Sequence, residues 1–90
     1  MAFPDLFSLQ GRTALVAGAS RGIGLAIAQG LAEAGARTLL AARSVEAIER
    51  EAAALAGQGL AAEAVRLDVA DPDSIRSVAA ALPDVDILVN

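Results

Sequence analysis

The segment Val16-Ala-Gly18-Ala-Ser20-Arg-Gly22-Ile-Gly24 constrains this chain more than any other. Ahead of it lies a short apolar run, Arg12-Thr-Ala-Leu-Val-Ala-Gly18, entered through Gly11 and patterned as a buried strand. Behind it a helical pattern covers about residues 22–34, with Ile23, Ile27 and Leu31 four apart and Gly35 as the stop. Ala26 and Gly30 lie beside that row, where small residues let a helix sit close to a sheet. Glycines at such a junction serve three needs: positive φ in a tight turn, close approach of the backbone to a pyrophosphate, and close packing of helix on strand. The N–H groups of the first helical turn and the positive end of the helix dipole then face phosphate charge. The other reading of these residues is a tight turn that holds no ligand.

The rest of the chain repeats the alternation. Arg37-Thr-Leu-Leu-Ala-Ala42 is a second buried strand, and Ser44 is a candidate N-cap for a helix reaching about residue 56. That helix carries Val45, Ile48, Ala52 and Leu55 on one face, with Glu46 and Arg50 as an i,i+4 pair on the other, and Gly57-Gln-Gly59 breaks it. Residues 60–67 form a third strand. Asp71-Pro72 opens a third helix, Ile75, Val78, Ala79 and Leu82 give it an apolar face, and Pro83 stops it. Residues 85–89 are a fourth apolar run. The order β-α-β-α-β-α-β, with nearly continuous apolar strands, implies an α/β fold: a doubly wound parallel sheet with right-handed crossovers and helices on both faces.

Composition narrows the chemistry. The chain has no Cys, His, Lys, Tyr or Trp. Disulfides, Cys/His zinc sites and Cys–His or Ser–His–Asp catalysis are therefore excluded, and neither a metal site nor a catalytic residue is expected among these 90 residues. A net charge of -4 and a pI near 4.5 have the wrong sign for nucleic acid. The charge is uneven, however: residues 1–45 sum to +2 and residues 46–90 to -6, so the first half attracts a small anion. No run approaches the ~18 apolar residues of a membrane span. The start, Met-Ala-Phe-Pro-Asp, lacks the basic-then-apolar pattern of a signal peptide, so a soluble cytoplasmic protein is expected.

The glycine spacing is G-x-x-x-G-x-G rather than G-x-G-x-x-G, and without Lys it is no P-loop. Gly18-Ala-Ser-Arg-Gly22-Ile-Gly24 resembles the nucleotide-binding loop of the short-chain dehydrogenase/reductase family. Leu67-Asp68-Val69 resembles that family's Asp-Val pair, whose carboxylate meets the adenine amino group. Asp86-Ile-Leu-Val-Asn90 is similar to its fourth strand entering an Asn-Asn-Ala-Gly segment, of which only Asn90 is present. The opening Leu6-Phe-Ser-Leu-Gln-Gly-Arg-Thr-Ala-Leu-Val looks most like the sugar-acid dehydrogenase and 3-oxoacyl-carrier-protein reductase branches. The similarity runs from about residue 9 to residue 90, with one departure: Ala17 stands where the family usually has Thr. The resemblance implies a Rossmann-like sheet of strand order 3-2-1-4. It also implies a nicotinamide cofactor held by Gly18, Ser20, Arg21, Gly22, Ile23, Gly24, Arg43, Ser44, Asp68, Val69 and Asn90.

A site that reads NAD places an acid about 20 residues past the glycines, at the end of the second strand. Ala42 holds that place here, and no acid occurs between Glu33 and Glu46. Arg43 follows directly, and Arg21 lies inside the glycine loop. Two guanidinium groups bind a 2′-phosphate that a carboxylate would repel, so NADP(H) is favoured over NAD(H). Either arginine by itself also reads as a solvated surface charge, and Asp68 as the cap of a turn.

In the resembling family, hydride passes between nicotinamide and a small carbonyl or alcohol substrate with the help of Tyr, Lys, Ser and Asn residues beyond the segment that Asn90 begins. The expectation is that residues 1–90 are the N-terminal dinucleotide-binding part of a single domain, in an enzyme that is homo-oligomeric when complete. The alternative is a free-standing nucleotide-binding or structural module without catalysis. An apolar fourth strand left at the sheet edge speaks against the alternative, because such an edge invites pairing with another chain.

Overall fold

The computed structural model describes residues 8–90; Leu6 and Phe7 of the resemblance above lie outside that range. Each apolar run becomes a strand and each amphipathic stretch a helix. The order is β1 (Thr13–Ala17), α1 (Gly22–Glu33), β2 (Arg37–Ala42), α2 (Val45–Gly57), β3 (Ala62–Arg66), α3 (Pro72–Ala81) and β4 (Ile87–Val89). The four strands form one parallel sheet, as the alternation predicts, in the order β3-β2-β1-β4 that the resemblance implies. The chain winds outward from β1 through β2 to β3, then returns past β1 to place β4 on its other side. β1 and β4 therefore flank the point where the winding reverses.

One face of the sheet is closed by α1 and α2. Val16, Leu40, Ala28, Ile48 and Leu55 are buried there, with Leu25, Leu31, Ala62 and Val89 packed around them. Full burial of a Leu or Ile side chain is worth about 1.5–3 kcal/mol, so Leu40 and Ile48 anchor this side. α2 buries Ile48, Ala52 and Leu55 of its expected face.

α1 corrects the expected face. Ile23 is 80% exposed and Ile27 37%, whereas Ala28 and Ala32 are buried. The inward row is Gly24, Ala28, Ala32, one position and about 100° away from the expected row, of which only Leu31 packs against the core. Close approach decides it: a Cβ at Gly24 would sit 2.2 Å from the Gly18 carbonyl oxygen, so the face against the sheet must be small. Ala26 is exposed and Gly30 faces open space, so neither supplies the close contact expected of it.

Three local expectations on α2 also change. Glu46 and Arg50 form no ion pair among the described residues, and Ser44 occupies the N-cap without a side-chain hydrogen bond. The helix runs through Gly57, and the break falls at Gln58 and Gly59.

The other face, of Leu15, Leu39, Ala41 and Leu67, is covered by α3 alone. α3 buries no residue completely; Val78 and Leu82 pack on the sheet while Ile75 is exposed. Local bonds define this helix instead: Asp71 Oδ1 accepts from the Asp73 amide at 3.0 Å, with Pro72 in the first turn.

The edge strand β4 is fixed by a contact that the sequence pattern did not disclose. Asp86 Oδ2 accepts from the Thr13 amide at 2.9 Å, the Asp86 amide donates to the Thr13 carbonyl at 2.8 Å, and Arg12 lies 3.9 Å from the carboxylate.

Candidate functional site

In a parallel sheet all strands end on the same edge, and a ligand binds outside those carboxyl ends where the winding reverses. Gly18 follows β1, Arg43 and Ser44 follow β2, Asp68 and Val69 lie just past β3, and Asn90 follows β4. The topology thus gathers every expected binding residue onto one edge, although they span most of the sequence.

The glycine loop is held from below. The amides of Gly18 and Ala19 both donate to the Ala41 carbonyl, at 2.7 and 3.2 Å, tying the loop to the end of β2. Gly18 and Gly22 have φ of 72° and 63°, values that L side chains rarely adopt. A Cβ at either would meet nothing within 4 Å, so the space over the loop is open. Gly24 is the opposite case, closed against Gly18 from the helix side.

Arg21 takes the N-cap position of α1 in an extended conformation and makes no side-chain cap. The amides of Gly22, Ile23 and Gly24 lie in the first turn, where no intrahelical acceptor exists. Those amides, the dipole of a 12-residue helix and the open space over the loop together suit a phosphate group. The residues present therefore fit a dinucleotide.

Three of the seven arginines have an acidic neighbour, and four have none among the described residues. Arg37 pairs with Glu63, Arg76 with Asp73, and Arg12 approaches Asp86. Arg21 and Arg43 pair with no acid among the described residues, and both are exposed on the sheet's carboxyl edge.

Asp68 is half-buried and already engaged. Its Oδ1 accepts from the Ala70 amide at 3.0 Å, its own amide donates to Ser74 Oγ at 3.0 Å, and the Asp71 amide donates to its carbonyl. The turn-capping role weighed for it is present, and Oδ2 has no partner among the described residues. Val69 is 63% exposed, and Asn90 is exposed at the end of β4. No group of three or more acidic, Cys or His side chains suited to a metal occurs among the described residues, and no helix there is long and apolar enough to cross a membrane.

Comparison with known proteins agrees with this geometry. The family model described as short chain dehydrogenase matches residues 12–90. A gluconate 5-dehydrogenase of Gluconobacter oxydans is 44% identical, with the match covering all of this chain and 37% of that protein. Among solved structures, the Pseudomonas aeruginosa RhlG/NADP active-site complex superposes with a TM-score of 0.84 at 48% identity, over 93% of this chain and 35% of that one. A gluconate 5-dehydrogenase from Burkholderia cenocepacia, in complex with NADP and tartrate, also gives 0.84, at 38% identity over 91% and 34%. The chain thus spans about a third of the length of the relatives it matches.

Proposed function

Because this chain belongs to the short-chain dehydrogenase family, we propose that it is the NADP(H)-binding segment of an oxidoreductase that moves hydride between nicotinamide and a small carbonyl or alcohol substrate. The observation that carries the cofactor choice is the end of β2, where Ala42-Arg43 stands in place of an acid while Arg21, exposed and with no ion pair among the described residues, lies in the loop after β1. A carboxylate there would hold ribose hydroxyls, whereas guanidinium groups favour a 2′-phosphate. NADP-bound relatives of this fold support the same choice.

In this reading the first-turn amides of Gly22, Ile23 and Gly24 receive the pyrophosphate, with Gly18 and Ser20 shaping the loop. Arg21, Arg43 and Ser44 surround the 2′-phosphate, Asp68 Oδ2 and Val69 border the adenine, and Asn90 lies by the ribose. The nicotinamide supplies hydride chemistry when bound. These 90 residues hold no Tyr or Lys, so the proton for the substrate oxygen comes from outside this segment. The whole protein is read as a cytoplasmic homo-oligomer, and residues 1–90 as the first part of one dinucleotide-binding domain.

Titration of the full-length protein with NADPH and NADH tests the choice. Tighter binding of NADPH, with the preference lost in Arg43→Ala, is the expected result; equal loss for both cofactors overturns it. The 90-residue chain by itself is expected to bind NADPH weakly in calorimetry, because its α3 face is not closed.

A further inference from the structure

Arg66, like Arg21 and Arg43, is exposed at the carboxyl edge with no acidic partner among the described residues. It is the last residue of β3, in register with Ala42, the residue that precedes Arg43. Neighbouring strands lie about 4.8 Å apart, less than the reach of an arginine side chain. Alternation along β3 puts Arg66 on the same face as Ala62 and Ala64, the face that α2 covers. There it borders a hollow of about 410 Å³ together with Val45, the first residue of α2, and Glu49 one turn further on. Arg66 is therefore adjacent to the turn Arg43-Ser44 from the side opposite to the glycine loop.

Two features leave this corner short of negative charge at the turn itself. Arg66 is exposed and forms no ion pair among the described residues, Glu49 included. Ser44 makes no side-chain cap, so the first amides of the 13-residue α2 also lack an acceptor from it. Glu46 and Glu49 lie on the helix side and limit the attraction for anions in general. A dianion centred on the turn, within reach of three guanidinium groups, overcomes that limit more readily than a single charge does.

We propose that Arg66 is a specificity-determining residue for the 2′-phosphate of NADP(H), closing the phosphate pocket from the β3 side as Arg21 and Arg43 close it from the β1 and β2 sides. The proposal rests on the NADP(H) reading above and adds a residue that the spacing of the glycine motif does not point to.

Arginine-specific labelling of the unmodified full-length protein, mapped by mass spectrometry, tests it without a folding risk. Adenosine 2′,5′-bisphosphate is expected to protect both Arg43 and Arg66, while 5′-AMP protects neither. Protection of Arg43 but not of Arg66 overturns the proposal and leaves the cofactor reading standing; protection of neither overturns both. As a second measurement, Arg66→Gln should weaken NADPH about fivefold while leaving NADH unchanged, and Arg76→Gln, on α3, should alter neither. Equal weakening of both cofactors by Arg66→Gln, or none, counts against the proposal.

Discussion

The two faces of the sheet are built to different standards. On the α1–α2 face, Val16, Ala28, Leu40 and Ile48 are inaccessible to solvent, and two helices close the sheet. On the α3 face one helix covers four strands without burying any of its own residues, and a cleft of about 640 Å³ opens between it and β4. Leu88, Val69 and Ile75 line that cleft and are 68%, 63% and 45% exposed. Packing on the first face fixes the strand ends that carry the loop and Arg43, while α3 is held mainly by its own cap and turn.

The largest test of that contrast is a pair of truncations. Leu40→Ala should cost about 3 kcal/mol in urea unfolding of this chain, and Leu82→Ala at the C-cap of α3 only about 1 kcal/mol. Equal losses would erase the contrast. Gly24→Ala comes next, at about 2 kcal/mol, because its Cβ lands on the Gly18 carbonyl and either helix or loop must move. In the full-length protein this change should lower NADPH and NADH affinity together, as seen by fluorescence titration.

Arg43→Ala should leave stability alone and weaken NADPH about tenfold, equivalent to about 1.4 kcal/mol. It tests whether the rigid face ends in a specificity device. The smallest effect is Asp71→Ala, at about 1 kcal/mol from the lost cap. Faster hydrogen exchange should be confined to α3 amides; if β2 amides also accelerate, the two faces unfold as one.

The sheet was legible because its cues are local. The run 37–42 is a strand in both readings, and the parallel sheet follows from the alternation of strand and helix, while the order β3-β2-β1-β4 matches what the family resemblance implied. The contacts that were missed are those that depend on what lies opposite. Ile23 and Ile27 look like a buried row until the Gly18 carbonyl is known to press on Gly24. Asp86 looks like a solvated acid until β4 brings it 73 positions back to the Thr13 amide. The expected binding residues came from glycine spacing, charge and the family resemblance, with the proposed Arg66 as the exception: its place beside Arg43 exists only through the β2–β3 register.

The bond from Gly18 and Ala19 to the Ala41 carbonyl has a consequence for how cofactor preference can change. One oxygen anchors the loop proposed to receive the pyrophosphate, and two positions further on stands Arg43, the residue proposed to read the 2′-phosphate. The two readers therefore share a datum, as marks on a single ruler do. Substitutions at positions 42–44 leave that datum in place, so a preference for one nucleotide can be exchanged for the other by side chains alone. An insertion between Ala41 and Arg43 has no such freedom, because it moves one mark along the ruler while the other stays pinned.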